Sequence, residues 1–111
     1  MSAAVVAVPL ASALATPSAP VEDEAASSLT AEQVEEGRSL FNSWSCSACH
    51  VLTDANGHGH IGPSLDGNTA MDKDFIISRV TNGQGAMPGF GGQMSDEEID
   101  LLASYVMQAK K

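Results

Sequence analysis

The chain has 111 residues, enough for one small domain, and its 14 acidic residues outnumber 5 Lys and Arg residues to give a formal net charge of −9. This charge argues against a nucleic-acid-binding protein, whose cations must face phosphates, and against a protein held at a membrane surface by basic residues. Aromatic residues make up only 5% of the chain, so a core built from protein alone would be thin. We therefore expect a cofactor or a cross-link to complete it.

The first 29 residues differ in composition from the rest. Residues 1–15 are mostly Ala and Val and end in Ala13-Leu14-Ala15, with small residues at the positions that a signal peptidase reads, so they predict a signal-peptide remnant. The apolar stretch is too short to span a bilayer. The alternative is an Ala-rich tail without a function, because no basic residue precedes Arg38. Residues 16–29, rich in Pro, Ser and acid, predict a flexible linker to a domain at 30–111.

The domain is predicted to begin with an amphipathic helix. Thr30 and Gln33 form a capping-box pattern, which is typical of a helix start. Apolar or small residues then recur along one helical face, at Val34, Gly37, Phe41 and Trp44. A glycine inside a helix costs roughly 1 kcal/mol relative to alanine. Gly37 therefore indicates a point where another element packs very closely.

Two further helices follow, separated by long Gly-rich loops. The second is predicted from Asp72 to Thr81, because Asn82-Gly83 forms a stop signal. The third opens with a second capping box, Ser95 with Glu98. Its buried stripe is predicted at Ile99, Leu102, Ala103 and Val106. No stretch alternates convincingly as a strand, so the sequence predicts an all-α domain.

The two cysteines of the chain, Cys46 and Cys49, stand three apart with His50 directly after them. A thioredoxin-like redox pair would need strands and helices in alternation, which this sequence lacks. Half of a zinc site would need further ligands, and only His58 and His60 remain. A disulfide beside a chance histidine is the plainest alternative. The Cys-x-x-Cys-His string favours covalent haem attachment, with both thiols bonded to one porphyrin and His50 as an iron ligand.

A haem iron held by one histidine needs a sixth ligand or keeps an open site. Met87 lies in the irregular, Gly-rich stretch GQGAMPGFGGQM, where glycines allow a close approach to a flat ring and Pro88 stiffens the loop. Met87 is not at a position where packing in a helix would explain a methionine. The alternative to a ligand is a side chain that only fills the core. We therefore predict Met87 as the second axial ligand. Met94 is the second choice, because it also fits a hydrophobic staple before the last helix.

The motifs stand in one longer pattern. A helix leads into Cys46-x-x-Cys49-His50, followed by Gly62-Pro63-Ser64-Leu65, Met87-Pro88 and a helix ending LLASYV. This order resembles the small monohaem class I cytochromes c of the bacterial, periplasmic type, over roughly residues 30 to 108. The resemblance implies a cytochrome c fold, with three main helices and long loops wrapped around one covalently bound haem c.

The resemblance also implies roles for single residues. The carbonyl of Pro63 accepts a hydrogen bond from the axial histidine, while Trp44 and Leu65 pack on the haem. The first helix crosses the last one, with Gly37 and Phe41 lying near Leu102 and Tyr105. The family has no fixed role for His58 and His60. They can hydrogen-bond a haem propionate or face water, and a competing iron ligand is the less favoured alternative, since both precede the Gly62-Pro63 turn.

The function implied is one-electron transfer by a monomeric protein that is not an enzyme. Its donor is expected to be a periplasmic dehydrogenase and its acceptor a terminal oxidase or another cytochrome. The alternative is a gas-binding or peroxidatic haem protein with a labile methionine ligand. The segment 81–94 carries no charge, so we expect partners to dock on an uncharged patch there.

Overall fold

Three α-helices form the frame of the domain in this computed structural model, which describes residues 3–5, 7 and 28–111. They are α1 (Ala31–Ser43), α2 (Lys73–Asn82) and α3 (Asp96–Ala109). The expected signal remnant at 1–15 and linker at 16–29 fall mostly outside the described residues. No helix in the described part of the chain is long and apolar enough to cross a bilayer.

The helix ends follow the capping residues. Thr30 and Ser95 accept hydrogen bonds from the backbone three residues on, and Gln33 and Glu98 return them, so both capping boxes form as predicted. The predicted second helix moves by one residue at each end. Asp72 caps α2 from outside by accepting from the Phe75 amide, and Gly83, with φ 72°, ends it.

The expectation of no strands is wrong in one place. Val51–Leu52 (β1) and Gly57–His58 (β2) pair antiparallel, with Val51 opposite His58 and Leu52 opposite Gly57. Each strand has two residues, so no alternation of apolar and polar residues can appear in the sequence. The pair folds the loop after His50 back onto α1, because the Gly57 backbone lies against the ring of Phe41.

The core lies where α1 and α2 each pack against α3. Its buried side chains are Phe41, Leu52, Ala55, Leu65, Ile76, Val80, Met94, Ile99, Leu102, Ala103, Tyr105 and Val106. Gly37 is also buried, and a methyl group built on it would overlap the Cβ of Tyr105. The ring of Phe41 meets that of Tyr105 edge to face, 6.5 Å between centroids. The predicted close crossing of the first and last helices is confirmed, and it explains the glycine.

We expect Gly37→Ala to destabilise the protein by about 1–3 kcal/mol, although alanine favours a helix, because overpacking forces α1 and α3 apart. The measurement is the denaturant midpoint of the purified holoprotein. Gly67→Ala is the control, since a Cβ there meets nothing within 4 Å and only the positive φ of 68° is strained. A Gly37→Ala midpoint at or above that of the parent would contradict the close crossing.

Asp54 ties three parts of the chain together. Tyr105 donates a hydrogen bond to its Oδ2 (2.5 Å), and Arg38 donates to the same oxygen and to its carbonyl, both at 3.0 Å. The hydrogen bond from Tyr105, with a smaller contribution from Arg38, holds the pKa of Asp54 below its ordinary value. Burial, and then Asp54, raise the pKa of Tyr105. A charged carboxylate at Asp54 therefore stabilises the fold.

Tyr105→Phe is expected to destabilise the protein by about 1–2 kcal/mol at neutral pH, because Asp54 loses a donor. The stabilisation by Asp54 is complete above its unfolded pKa of about 3.9 and is lost as the pH falls through the lower folded pKa. The difference between parent and variant should therefore shrink in acid. Unfolding free energies measured at neutral pH and near pH 3 would test this, and an unchanged difference would contradict it.

Candidate functional site

A tight turn after α1 brings the two cysteines and His50 together. Ser45 takes a left-handed conformation with φ 63°, which ends the helix path and starts a 3₁₀ turn over Cys46–Ala48. The amides of Cys49 and His50 both donate to the carbonyl of Cys46, at 3.1 and 3.0 Å. The turn therefore sets these three side chains in a fixed order on one wall of a cavity.

The glycines after this turn let the chain fold back over it. Gly59 lies so close to Ala48 that a Cβ would overlap its carbonyl group. The Gly59 and Gly62 amides donate to the carbonyls of Ser47 (3.2 Å) and Cys49 (2.8 Å). These bonds bring the second loop against the turn that carries the cysteines.

The ring of His50 is held from two sides. Its Nδ1 donates a hydrogen bond of 2.8 Å to the carbonyl of Pro63, since a carbonyl can only accept. A Cβ built on Gly62 would lie 2.8 Å from Nδ1 and 2.9 Å from Nε2. Glycine at this position therefore lets the backbone lie against the ring. Because Nδ1 is occupied, Nε2 is the nitrogen free to bind another group.

The cavity has a volume of about 590 Å³ and is bounded by the cysteine turn, α2, α3 and the loop after α2. Its wall is mostly apolar and carries no Asp or Glu among the described residues. It is lined by Phe41, Trp44, Ser45, Cys46, Ala48, Cys49, His50, Ile61, Gly62, Pro63, Leu65, Met71, Phe75, Ile76, Arg79, Val80, Gln84, Ala86, Met87, Pro88, Phe90, Leu102 and Val106.

The loop that carries Met87 is anchored by its own backbone. Gln84 and Met87 exchange amide-to-carbonyl hydrogen bonds of 3.0 Å, which close a tight turn. Further along, Phe90 donates to the carbonyl of Val80 (2.8 Å) and Gly91 to that of Thr81 (3.0 Å). The half-buried Met87 therefore stands on a loop fixed to the C-terminal end of α2.

The methionines considered as iron ligands differ in whether they line the cavity. Met94 is 3% exposed and belongs to the core, so it does not line the cavity. Met71, just before α2, does line it together with Met87. Met71 therefore replaces Met94 as the alternative candidate for the second iron ligand. Its position at the cavity depends on how the loop before α2 folds, which the sequence alone does not reveal.

The other chemistries proposed for the cysteines find little support. Both thiols are free, and burial raises the pKa of Cys46 to about 11. A redox-active Cys-x-x-Cys pair depends on a lowered thiol pKa, so a protonated thiol does not suit that role. Within the described ranges, no three His, Cys, Asp or Glu side chains cluster as a metal ion would require.

The remaining residues singled out in the sequence divide into two groups. Trp44 and Leu65 line the cavity, and Trp44 packs edge to face on Phe90 with 5.7 Å between ring centroids. His58 and His60 are exposed and lie outside the cavity wall. The sequence analysis did not single out Ile61 or Arg79 as part of this site. Their position depends on how α2 and the loop before it dock, which no local pattern encodes.

Comparison with known proteins gives one consistent group of relatives. Residues 32–106 match the family described as cytochrome C oxidase, cbb3-type, subunit III. Cytochrome c6 of Leptolyngbya boryana is 44% identical over 74 residues, which are 64% of this chain and 86% of that protein. Cytochrome c6 of Gracilaria tenuistipitata var. liui is 37% identical over 84 residues, 69% of this chain and 73% of the relative.

Solved structures give the same picture. The c-type cytochrome SorU of Sinorhizobium meliloti superposes with a TM-score of 0.63 at 37% identity, covering 72% of this chain and 94% of that one. Cytochrome c6 of the diatom Phaeodactylum tricornutum superposes with a TM-score of 0.56 at 38% identity, covering 69% of this chain and 93% of that one. The three-helix frame around the cavity is therefore similar to that of c-type cytochromes.

Proposed function

Since this chain belongs to the small monohaem class I cytochromes c, we propose that its haem c is attached at Cys46 and Cys49 and ligated by His50 and Met87. The protein is an electron carrier of this family and not an enzyme, and it holds one covalently attached haem c. The observation that carries the proposed site is that Met87, distant in sequence, lines the same apolar cavity as Cys46, Cys49 and His50.

The cavity suits a flat, largely apolar cofactor. Its volume of about 590 Å³ lies within the range of ligand-binding pockets, about 300–1,000 Å³. Aromatic and aliphatic side chains such as Phe41, Leu65 and Val80 form its wall, with Trp44 and Phe90 at one side. Burying such a cofactor would also supply the apolar contacts that a chain with few aromatic residues lacks.

Cys46 and Cys49 would attach the cofactor. Each thiol would add its sulfur and its hydrogen across one vinyl group, so a carbon–sulfur bond forms and no atom is lost. The three-residue spacing on a 3₁₀ turn keeps both sulfurs on the same wall as His50.

His50 and Met87 would hold the iron. The hydrogen bond from Nδ1 to Pro63 orients the imidazole and strengthens Nε2 as a donor. As a soft ligand, the thioether of Met87 would favour ferrous iron and so raise the reduction potential. When bound, haem c supplies an iron that alternates between two oxidation states, one electron at a time.

The surrounding residues favour electron transfer over gas or peroxide chemistry. With His50 and Met87 both holding the iron, no coordination position would remain for a substrate. No Asp or Glu stands in the described wall to serve as an acid or base for peroxide cleavage. The backbone hydrogen bonds of the Met87 loop hold that ligand in place.

We further propose that the protein works as a monomer in the bacterial periplasm, after removal of residues 1–15, with 16–29 as a linker to the domain at 30–111. Its donor would be a periplasmic dehydrogenase and its acceptor a terminal oxidase or another cytochrome. The similarity of residues 32–106 to an oxidase subunit family supports an acceptor of the oxidase class.

Covalent attachment is tested by expressing the chain with a haem-attachment system and weighing the denatured protein. We expect the mass of the chain plus one haem, and a colour that stays with the protein in acidic organic solvent. Cys46→Ser with Cys49→Ser should remove both properties. A colour that extracts from the parent protein would contradict attachment at these cysteines.

Carbon monoxide added to the reduced parent protein separates the two functions. An electron carrier with both axial ligands in place should show no change in absorbance, because carbon monoxide needs a free coordination site. Rapid binding at low concentrations would instead show a labile ligand and favour gas or peroxide chemistry.

A further inference from the structure

The carbonyl of Pro63, which accepts a hydrogen bond from Nδ1 of His50, lies in a stretch of loop that cannot anchor itself. Proline has no backbone N–H to donate, so the position of its carbonyl depends on the residues beside it. On one side the Gly62 amide is bonded to the cysteine turn, and on the other the Leu65 amide donates to the carbonyl of Val51 at 2.9 Å. Displacing either anchor would move the carbonyl away from the imidazole.

Asp66 adds a side-chain anchor directly after these backbone bonds. Its Oδ2 accepts two hydrogen bonds from Thr53, one from the amide at 3.0 Å and one from the hydroxyl at 2.6 Å. Among the described residues, these bonds and the one from His50 are the side-chain hydrogen bonds that join segments 49–53 and 62–66. This pair, the Thr53–Asp66 clamp, therefore closes the second segment against the first.

The other end of the clamp is fixed to the helices. Asp54, the residue after Thr53, accepts hydrogen bonds from Tyr105 on α3 and from Arg38 on α1. Thr53 and Asp66 do not line the cavity, so neither side chain touches a group that fills it. The clamp therefore joins the loop to the helical frame at a distance from the cavity.

We propose that Asp66 is a positioning residue for His50: through Thr53 it holds the Pro63 carbonyl on Nδ1 and so helps to set the reduction potential of the iron. The inference rests on the proposed function, because it takes His50 to be an axial ligand. A strong hydrogen bond from Nδ1 makes the imidazole a better electron donor, which favours ferric iron and lowers the potential. Loosening the clamp should weaken that bond and raise the potential.

Four single variants separate the hydrogen bonds of the clamp from its charge. Asp66→Ala removes both, whereas Asp66→Asn removes the charge and keeps an oxygen that can accept both bonds. Thr53→Val removes the hydroxyl and leaves the charge in place, and Thr53→Ser keeps the hydroxyl. Ser64→Ala is the control, since Ser64 lies in the same loop and its hydroxyl makes only a long contact of 3.5 Å to the Asp66 carbonyl.

The first measurement is the exchange of the Nδ1 proton of His50 with solvent, followed by NMR in the reduced holoprotein. We expect Asp66→Ala to speed this exchange about tenfold and Thr53→Val about threefold, the factors that correspond to one net hydrogen bond or part of one. Thr53→Ser, Asp66→Asn and Ser64→Ala should leave the exchange close to that of the parent. Backbone amides of α3 are the internal reference, because a general loss of stability would speed their exchange by the same factor.

The second measurement is the reduction potential of the same proteins. Removing a negative charge raises the potential even without a change in hydrogen bonding, so Asp66→Asn reports the contribution of charge alone. We expect a larger rise in Asp66→Ala than in Asp66→Asn, and a rise in Thr53→Val although no charge is lost. Thr53→Ser and Ser64→Ala should keep the potential of the parent.

Two results would overturn the inference while leaving the proposed function intact. One is an equal potential for Asp66→Ala and Asp66→Asn, with the exchange of the Nδ1 proton unchanged from the parent. The other is an Nδ1 exchange that speeds only as much as that of the α3 amides, which would make the clamp a contribution to stability alone. A parent holoprotein without an iron-bound imidazole would instead contradict the proposed function itself.

Discussion

Replacing Met87 by alanine is expected to abolish the sulfur-to-iron charge-transfer band of the ferric protein and to let carbon monoxide bind the ferrous form. The reason is geometric, since Met87 stands on the cavity wall in a loop closed by its hydrogen bonds with Gln84. Losing a soft thioether should also lower the reduction potential. Absorption spectra and a carbon monoxide titration of the purified holoprotein provide the measurement.

Two other methionines serve as matched controls for this experiment. Met71→Ala removes a second thioether from the same cavity, and Met94→Ala removes one from the core. We expect both variants to keep the band, while Met94→Ala costs about 2–5 kcal/mol of stability because it opens a buried cavity. A band lost in Met71→Ala and retained in Met87→Ala would assign the ligand to Met71.

Gly62→Ala is expected to reduce the yield of covalently loaded protein on the order of tenfold. A Cβ at this position would overlap the ring of His50, so the imidazole must move and release its hydrogen bond to Pro63. Losing the outer hydrogen bond of a ligating histidine typically weakens metal binding by about 10- to 100-fold. The measurement is the ratio of haem to chain by absorbance and intact mass.

The control for Gly62→Ala is Gly67→Ala, in a nearby loop where a Cβ has open space. It strains the backbone at a positive φ without touching His50, so it should lower stability by about 1 kcal/mol and leave loading unchanged. Normal loading and an unchanged spectrum in Gly62→Ala would mean that the position of the His50 ring does not depend on this close contact.

Local patterns in the sequence predicted the parts of the fold whose causes are local. Both capping boxes and the stop at Gly83 depend on residues a few positions apart, so the starts of α1 and α3 and both ends of α2 were predicted to within about one residue. The close crossing of α1 and α3 at Gly37 was predicted from the free-energy cost of a glycine inside a helix and from the family resemblance. The pair of two-residue strands was missed because it is too short to show a period.

The candidate site was predictable where a motif is contiguous and unpredictable where it depends on docking. Cys46, Cys49 and His50 are adjacent in the sequence, and the structure places them on one wall. Which methionine faces them depends on the path of two loops, so Met94 was preferred over Met71 as the alternative.

The two backbone hydrogen bonds from Phe90 and Gly91 to the end of α2 have a consequence for dynamics. They satisfy two carbonyls at the C-terminal end of that helix, so the loop cannot lift away without breaking its bonds to Val80 and Thr81. Local opening of proteins occurs in contiguous cooperative units. The bond that we propose between Met87 and the iron would then open together with the end of α2, a helix that does not itself carry the ligand.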